Sequence, residues 1–403
     1  MKVLILNGAF AKQNETEALA LSRGNIAFSG IRFQEKIIGG FKENGVDYEA
    51  LSAPFIAPWK GKGAMFFKGF TEPQDEYTYV KFCNIWGIRN ISRAKALKKK
   101  LKNFIRLNDE EKVIVITSPH TPFLKAAAYA KRKDPRIKIN LIVPDLPAYM
   151  NLVSKVSPIY KIAKKFDISR FNKLCKKIDS FMLLTEHMKD KLPINDKPYF
   201  VCEGIVENDV LEKNQLKKQE LEKDGLKYIV YTGGTGEKYG IKNLVDAFLL
   251  TKDESYRLVI CGRGDSDEYI NSCAEKDGRI MALGLVTPSV ALEWALKADV
   301  LVNPRQNNEE YTKYSFPSKN LDYLASGNKT ICYMLDGMKP IYKSFVISPE
   351  DDTPSALALA IENALADNDN SRYNEFVGYA EELKAPNVCN KIIETTLNTK
   401  GRM

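Results

Sequence analysis

The chain has 403 residues, 44% of them hydrophobic and 28% charged, and a formal net charge of +9 at pH 7. This length exceeds what one core usually serves, so we expect two or three domains; no apolar run approaches the roughly 18 residues of a membrane span. Seven scattered cysteines without a Cys-x-x-Cys pair, and only two histidines, exclude a disulfide framework and a His-rich metal site. We therefore expect a reduced, cytoplasmic protein.

The charge is divided unevenly along the chain. The first 200 residues contain 36 Lys and Arg against 19 Asp and Glu, whereas residues 201–403 contain 24 against 32. A strongly basic half favours an anionic partner. An anionic membrane surface and a nucleic acid would both accept this charge, so charge alone leaves the partner open.

The first half alternates strands with helical patterns. Its apolar start predicts a buried strand rather than a secretion signal, and Glu15 and Glu17 in the following loop suit a helix start. A helical pattern covers residues 25–44. Apolar and β-branched runs predict strands at residues 3–6, 48–51, 113–117, 139–143, 181–185 and 199–203. This alternation predicts βαβ units and a doubly wound parallel sheet.

Two segments interrupt the alternation. Residues 53–70 form a Pro- and Gly-rich loop that mixes aromatic residues with lysines such as Lys60 and Lys62. Residues 155–178 form a basic, amphipathic helical pattern that restarts after Asp167, which is typical of a segment lying on a membrane surface. Two alternatives stay open: the helix could pack on its own domain with snorkelling lysines, and the loop could stack on single-stranded nucleic acid, although no nucleic-acid motif accompanies it.

The second half begins with a charged segment, residues 207–225, which is predicted to be a connecting segment. A second alternating set follows, and a last helix at about residues 375–398 is expected to return to the first domain. Strands are predicted at residues 228–232, 257–261, 281–284, 300–303 and 330–335, with helices at 241–250, 290–298 and 317–326. Two α/β sets separated by a linker predict two similar domains.

The loops after parallel strands lie on one edge of a sheet. On that edge, the helix beginning at Pro317 would direct unpaired N–H groups into a loop, which suits a phosphate. The loop with Gly233, Gly234 and Gly236 matches neither the dinucleotide fingerprint nor the P-loop, and by itself it is better explained as a plain tight turn. Five basic side chains share this edge: Lys238, Arg263, Arg305, Lys313 and Lys319. Together they predict a ligand with several negative charges.

Six segments follow one another in a specific order: EGIVE (203–207), YTGGTGEKYGIKNLVDAF (231–248), LVICGRGD (258–265), MALGLVT (281–287), ADVLVNPR (298–305) and YSFPSKNLDYLASGNKTI (314–331). As a set they resemble retaining GT-B glycosyltransferases of family four, in particular the capsule and exopolysaccharide branch. The resemblance implies an α/β GT-B fold, with two Rossmann-like doubly wound domains facing each other across a cleft. Residues 1–200, joined by the C-terminal helix at about 375–403, would be the acceptor- and membrane-facing domain; residues 201–374 would bind the donor.

The resemblance also implies how the donor diphosphate is bound. It would lie at the N-terminus of helix 317–326, near the backbone amides of Ser315 and Phe316. Basic side chains would neutralise it: Lys238 and Arg263, with Arg305 or Lys319 as further candidates. Gly233 and Gly234 would let the backbone approach the diphosphate.

The remaining donor contacts follow from the same resemblance. Leu285 and Val286 would contact the nucleobase through main-chain groups. Asp322 stands where the family usually has the second glutamate of its E-x7-E motif, which binds the ribose. Tyr314 stands where the first, sugar-binding glutamate belongs, and Glu309 or Glu310 could serve in its place.

Two residues of the first half are candidates for the reaction centre. His120 follows the strand at 113–117, where the family has a histidine that contacts the transferred sugar; it could equally be a surface residue. Asp145 follows the strand at 139–143 and could bind the acceptor or only form a turn. His187 lies in a predicted helix without such context.

The resemblance thus implies a hexosyltransferase that moves a sugar, with retention, from a nucleotide-diphosphate sugar to a glycan acceptor, expected to be lipid-linked. A UDP-sugar is the favoured co-substrate. Lys and Arg would replace a metal, since no DxD-type carboxylate cluster is present, and no nucleic acid is expected as a partner. The protein would be cytoplasmic and peripheral at the inner membrane face. Two alternatives stay open: a catalytically silent partner of another transferase, or a nucleotide-sugar epimerase of the same fold.

Overall fold

The computed structural model describes residues 1–11, 21, 28–59, 64–72, 77–108, 111–147, 158–221 and 224–398. Contacts divide the chain into a first unit, Met1–Ile205 with Leu383–Met403, and a second unit, Val206–Glu382. Several expectations fall outside the described residues: the helix start at Glu15 and Glu17, and the loop lysines Lys60 and Lys62. Among the described residues, no helix has the length and apolarity that crossing a membrane requires.

The first unit is built on a mostly parallel sheet. Its described strands are β1 Lys2–Asn7, β2 Tyr48–Ser52, β4 Thr71–Glu72, β5 Tyr77–Tyr79, β7 Lys112–Ile116, β8 Lys138–Val143, β9 Ser180–Leu183 and β10 Tyr199–Val201. They are ordered β10-β9-β8-β7-β1-β2-β5-β4, and only β4 runs antiparallel to its neighbour. The β7 side chains are completely or almost completely buried, as their apolar run predicts for a strand covered on both faces.

Helices connect these strands. They are α1 Phe28–Glu43, α2 Arg89–Arg106, α3 Thr121–Lys133 and α4 Pro158–Cys175. Helix α4 runs through Asp167 without a break, so the residues before and after Asp167 belong to one helix. His187 lies in a short 3-10 helix, Glu186–Lys191.

The aromatic loop at residues 53–70 has only part of its aromatic surface exposed. A short hairpin pairs β3, Phe66–Phe67, with β6, Phe82–Cys83. Phe67 is buried and stacks on Phe82 with 5.4 Å between ring centroids, whereas Phe66 is exposed. Stacking inside the unit therefore removes Phe67 from any external partner.

The second unit has a smaller, fully parallel sheet. Its strands are β11 Lys227–Thr232, β12 Tyr256–Cys261, β13 Ile280–Gly284, β14 Val300–Asn303 and β15 Lys329–Cys332. Their order is β13-β12-β11-β14-β15. The helices are α5 Val210–Gln219, α6 Ile241–Leu250, α7 Asp267–Ala274, α8 Pro288–Lys297, α9 Ser318–Ala325, α10 Tyr342–Phe345, α11 Pro354–Ala366 and α12 Ser371–Leu383. Apolar side chains bury both faces of the sheet.

Two helices differ from the sequence prediction. The segment at 207–225 was predicted to be a connecting segment and was assigned no helix; most of it forms α5, whose only buried side chain is the polar Asn214. The predicted final helix is two helices, α12 and α13 Ala385–Leu397, separated by an extended Lys384. Pro386 explains the break, because proline has no N–H for the preceding turn. Helix α13 packs on α1, where a Cβ at Gly40 would overlap the carbonyl of Ala385.

Candidate functional site

The loops after β11 and β12 are in backbone contact. A Cβ at Gly262 would overlap the carbonyl oxygen of Gly233, and a Cβ at Gly264 would lie 2.5 Å from the backbone nitrogen of Gly236. The N–H of Gly233 donates to the carbonyl of Cys261 at 2.8 Å. Only glycine permits such an approach. The sequence prediction singled out Gly233, Gly234 and Gly236 in the first loop and Arg263 in the second, but not Gly262 and Gly264 of the second loop, although CGRGD carries the same glycine signal.

Two side chains hold these loops in place through hydrogen bonds. The Oδ1 of Asp267 accepts hydrogen bonds from the backbone N–H of Gly264, at 2.9 Å, and from the hydroxyl of Thr235. The hydroxyl of Tyr231 donates to the carbonyl of Gly234 at 2.7 Å, and burial raises the pKa of this hydroxyl. Neither residue has a local sequence signal for this role, so both were missed.

The loops after β13 and β14 lie against the same edge. The N–H of Gly262 donates to the carbonyl of Gly284 at 2.7 Å. Gly240 has φ of 75°, and a Cβ there would overlap the carbonyl oxygen of Pro304. Four strand-end loops are thus joined through main-chain contacts, which leaves side chains and amides of the edge available to a ligand.

Arg305 is held inside this edge. Its Nη2 donates to the hydroxyl of Ser315 at 3.0 Å, and its guanidinium lies 4.7 Å from the ring centre of Tyr311. Its Nε is buried and has no hydrogen-bond partner among the described residues. A buried N–H without a hydrogen-bond partner is costly, and an anion beside this guanidinium would provide one.

Helix α9 begins at this edge, close to its predicted start, and Phe316 before it is buried against Tyr342. The Nζ of Lys319 lies 3.4 Å from the hydroxyl of Thr232 at the end of β11. The buried hydroxyl of Tyr323 accepts from the N–H of Thr232 at 2.8 Å, and burial raises its pKa to about 12. Helix α9 is therefore anchored on β11 through Lys319 and Tyr323.

A pair of buried amides adds a second anchor. The Nδ2 of Asn303, the last residue of β14, donates to the Oδ1 of Asn320 at 2.6 Å. Both residues are buried. Because α9 is anchored on two strands, its free N–H groups point to a fixed place, which is what an anion site at a helix start needs.

The other predicted basic residues are placed differently. Lys238 is exposed, with its Nζ 5.2 Å from the ring centre of Tyr239. Arg263 is exposed, and its carbonyl accepts from the N–H of Thr235 at 3.2 Å. Lys313 points to Asp336, with 3.9 Å between the charged atoms. Arg305 and Lys319 are thus the partly buried cations of the edge.

The predicted base, ribose and sugar contacts lie around the same loops. Leu285 follows Gly284 and is 74% exposed, while Val286 packs on the core. Glu310 is exposed at the start of a 3-10 helix, Glu310–Tyr314, and Tyr314 is buried at its end. Asp322 is exposed on α9.

In the first unit, His120 lies at the start of α3 in an aromatic setting. Its ring contacts Phe55 and Phe123 edge-on, with centroids 5.2 and 5.1 Å away. Its Nε2 is buried and has no hydrogen-bond partner among the described residues. Burial, and next the charges of Arg93 and Arg89, hold the pKa of His120 well below its usual range. The imidazole is therefore neutral at physiological pH.

The arginines near His120 hold the loop after β2. Arg93 is buried and donates to the carbonyl of Pro54, and burial lowers its pKa to about 9. Arg89 reaches the carbonyl of Ile56 at 3.4 Å. Sequence reasoning missed both, because they come from a helix distant in the chain. Asp145 is exposed after β8, although enough protein surrounds it that desolvation raises the pKa of its carboxyl.

The residues that the structure describes contain no group of three or more His, Cys, Asp or Glu side chains that could hold a metal ion. The cationic groups at the second-unit edge are instead Arg305, Lys319 and the start of α9. The edge is therefore suited chemically to binding an anion directly.

A comparison with protein families identifies the second unit. Residues 226–367 match the family described as Glycosyl transferases group 1. The chain carries a glycosyltransferase domain. The matched residues include all five strands of the second unit and the four joined loops. No curated protein matches the chain in sequence.

Solved glycosyltransferase structures share the fold over the whole chain. HepE from Anabaena in complex with UDP has a TM-score of 0.62 and 11% identity, covering 99% of this chain and 100% of its own. Sucrose-phosphate synthase from Thermosynechococcus elongatus has a TM-score of 0.62 and 11% identity, and the match covers 99% of both chains. WaaG, a glycosyltransferase involved in lipopolysaccharide biosynthesis, has a TM-score of 0.59 and 13% identity, and the match covers 100% of both chains. The likeness confirms the predicted GT-B class with two Rossmann-like units.

Proposed function

We propose that this glycosyltransferase moves a hexose, with retention of configuration, from a UDP-sugar to a glycan acceptor, lipid-linked, in the synthesis of a cell-surface polysaccharide such as a capsule or exopolysaccharide. One observation carries the donor part: the partly buried guanidinium of Arg305, whose buried Nε has no hydrogen-bond partner among the described residues, lies at the edge where four loops meet the start of α9. A diphosphate at that place would complete the hydrogen bonds of Arg305 and neutralise its charge.

The diphosphate is the leaving group in this proposal. Arg305, Lys319 and the free N–H groups of α9 would stabilise the charge that develops on it, with the amides of Ser315 and Phe316 beside them. Lys238 and Arg263 are exposed on the adjoining loops and would reach the outer phosphate oxygens as flexible cations. Transfer by this route needs no metal, since positive side chains supply the charge.

The rest of the donor is assigned from neighbouring positions. HepE is known in complexes with UDP and with UDP-glucose, which favours uridine as the base here. The main chain at Leu285 and Val286 would contact that base, and Asp322 would contact the ribose. Glu310 and Tyr314, from one 3-10 helix, would face the sugar.

His120 and Asp145 are the proposed residues of the reaction centre. The neutral imidazole of His120 has an unpaired Nε2 that could accept or donate a hydrogen bond to a sugar hydroxyl. Asp145 lies after the neighbouring strand β8, and its raised pKa suits a carboxyl that binds an acceptor hydroxyl.

We also propose that the first unit binds an anionic membrane from its cytoplasmic side. Lys165, Lys173 and Lys176 line an open depression on α4 together with Ile168 and Pro193. Large apolar side chains are exposed on the same unit: Phe66, Trp86, Ile88, Ile91 and Phe166. Basic residues beside exposed aromatic ones are typical of surfaces that lie on a membrane.

Positive charge is concentrated across three helices of this unit. The pKa of Lys125 on α3 is lowered by burial and by the neighbouring charges of Arg170 on α4 and Lys98 on α2, against which Asp167 acts only weakly. Like charges held this close favour an external anion, because an anion removes their mutual repulsion.

A thermal-shift series with UDP, GDP, ADP and their glucose conjugates tests the donor proposal, because a ligand stabilises the native state by RT ln(1 + [L]/Kd). We expect UDP and UDP-glucose to raise the melting temperature most. Donor hydrolysis and acceptor transfer, with NMR of the product anomer, test the reaction. UDP binding without turnover of any donor would instead support a silent partner, and formation of an epimerised sugar would support an epimerase.

A further inference from the structure

Three successive carbonyls at the C-terminal end of α9 each accept a hydrogen bond from a side chain of α5. The Nδ2 of Asn214 donates to Ala325 at 3.0 Å, the Nε2 of Gln215 to Ser326 at 3.4 Å, and the Nζ of Lys218 to Gly327 at 3.2 Å. The last carbonyls of a helix lack partners within the helix. Helix α5 therefore acts as a cap supplied by a different part of the chain.

The contact is specific to the residues present. Asn214 is 3% exposed and is the one buried side chain of α5, so this helix docks through a hydrogen bond rather than an apolar stripe. Gly327 has φ of 75°, and a Cβ there would overlap the Nε2 of Gln215. A glycine ends the helix, as the sequence predicts, and it also lets Gln215 approach.

The same network reaches α8. Lys218 donates to the Oδ1 of Asn328, whose Nδ2 donates to the carbonyls of Ala295 and Leu296 at 2.7 and 3.0 Å. These two carbonyls belong to the last turn of α8. One lysine of α5 thus connects the C-terminal ends of both α8 and α9.

The opposite ends of these two helices lie at the donor site. The N-terminus of α9 follows Ser315 and Phe316, and α8 follows the loop with Leu285 and Val286. Helix α9 has eight residues, about 12 Å in length, and a rigid helix transmits a displacement of one end to the other. A positive charge at its C-terminus also offsets the negative end of the helix dipole, so the N-terminus attracts phosphate more strongly.

We propose that α5 is a positioning element of the donor site, in which Asn214, Gln215 and Lys218 fix the helix that receives the diphosphate and Lys218 adds to its electrostatic pull. The inference rests on the proposed binding of a UDP-sugar at α9. None of the three side chains touches the donor; each acts through α9 or through Asn328.

The test compares Lys218→Met with Lys217→Met, its matched control on the same helix. Lys217 is exposed, so the control loses the same charge one residue away without touching α9. Dissociation constants for UDP and for uridine, measured by titration calorimetry, separate phosphate binding from base binding. The free energy of a charge at a helix end is modest, so we expect Lys218→Met to weaken the binding of UDP about twofold to fivefold and the binding of uridine by less. Asn214→Ala is expected to act in the same direction, and Lys217→Met to resemble the unaltered chain.

Circular dichroism at the titration temperature establishes that each variant is folded. Equal UDP affinity in Lys218→Met, Asn214→Ala and the unaltered chain would refute the positioning role while leaving the proposed function intact. A parallel loss of UDP and uridine binding that follows a smaller folded fraction would reduce α5 to a stabilising element and also refute it. An unaltered chain that binds neither UDP nor uridine would instead refute the proposed function.

Discussion

The strand-end loops of the second unit meet at glycines that approach the main chain of the next loop. In the first unit, the N–H of Phe55 donates to the carbonyl of Gly8 at 3.0 Å, so the loops there also touch through the main chain, but side chains from distant segments surround His120. Gly233, Gly262 and Gly240 bring three loops together in the second unit. In the first, Phe55 and Arg93 come from distant segments to surround His120. The second-unit edge combines amides with cations, which suits an anion, whereas His120 is a neutral imidazole held among aromatic rings with the charges of Arg93 and Arg89 nearby.

The comparison also shows that the net charge of each half differs in sign or position from the charged groups at its candidate site. The second half is acidic overall, yet its edge holds the partly buried cations Arg305 and Lys319. The basic first half surrounds His120 with apolar rings and places Lys165 and Lys173 on a helix surface instead. The net charge of each unit thus reflects its outer surface, whereas the charge at its candidate site depends on local packing.

The largest effect is expected from removing Arg305, a partly buried cation of the second unit. Arg305→Ala should lower kcat/KM about 100- to 1000-fold, as loss of one charge-stabilising group at a leaving group typically does. Steady-state kinetics with UDP-glucose provides the measurement. Lys276→Ala, an exposed lysine after α7, serves as the control and should leave kcat/KM unchanged. Equal kinetics for both variants would place the diphosphate elsewhere.

The backbone contacts of the second unit can be broken directly. Gly262→Ala should lower the free energy of unfolding by about 2 kcal/mol or more, because the new Cβ meets the carbonyl of Gly233 and the loops must separate. Urea unfolding and UDP titration should both show the change. Gly278→Ala is the matched control, since nothing lies within 4 Å of a Cβ there. A tolerated Gly262→Ala would mean that the loop contact is not needed.

The surface charge of the first unit is tested with vesicles. The double variant Lys165→Gln, Lys173→Gln should lose about 2 kcal/mol of binding to phosphatidylserine-containing vesicles, at about 1 kcal/mol for each lysine. Sedimentation with such vesicles measures this, and raised salt should weaken binding of the unaltered chain as well. Lys276→Gln in the second unit is the control. If the unaltered chain stays in the supernatant, the membrane proposal fails.

The smallest effect concerns the neutral histidine of the first unit. Its folded-state pKa lies below the unfolded value of about 6.5, so the unfolded chain binds the extra proton as pH falls. Stability contributed by His120 is present above pH ~6.5 and should decline by up to about 1.4 kcal/mol per pH unit below it. Urea unfolding between pH 7.5 and 5.5 should show a flatter profile for His120→Gln than for His187→Gln. Identical profiles would show that His120 titrates normally.

The fold was predictable because the strands carry their own signals. The β-branched run at 113–117 and the apolar runs of β11 and β12 mark strands buried on both faces. Their alternation with helices predicted two doubly wound units, which the structure confirmed. The helix in segment 207–225 was not predicted, for the opposite reason. Its helix has no apolar stripe, and the hydrogen bonds of Asn214 to α9 come from residues more than 100 positions away.

The candidate site likewise has one part that the sequence predicted and one part that it did not. Gly233, Gly234 and the start of α9 could be found from the sequence, because a close approach of the main chain requires glycine and a helix start uses Pro and Ser locally. Roles assigned to Lys238, Asp322 and Asp145 stay predictions.

The sequence by itself determined two α/β units and a basic first half, since periodicity and composition are local properties of the chain. Tertiary structure alone decided which cation is buried, which loops touch, and that a charged helix holds the end of α9. Arg305 has the same local signal as Arg263, yet only Arg305 is enclosed, by Ser315 and Tyr311. Burial and pairing depend on what other segments bring to a residue, and desolvation then sets how strongly its charge acts.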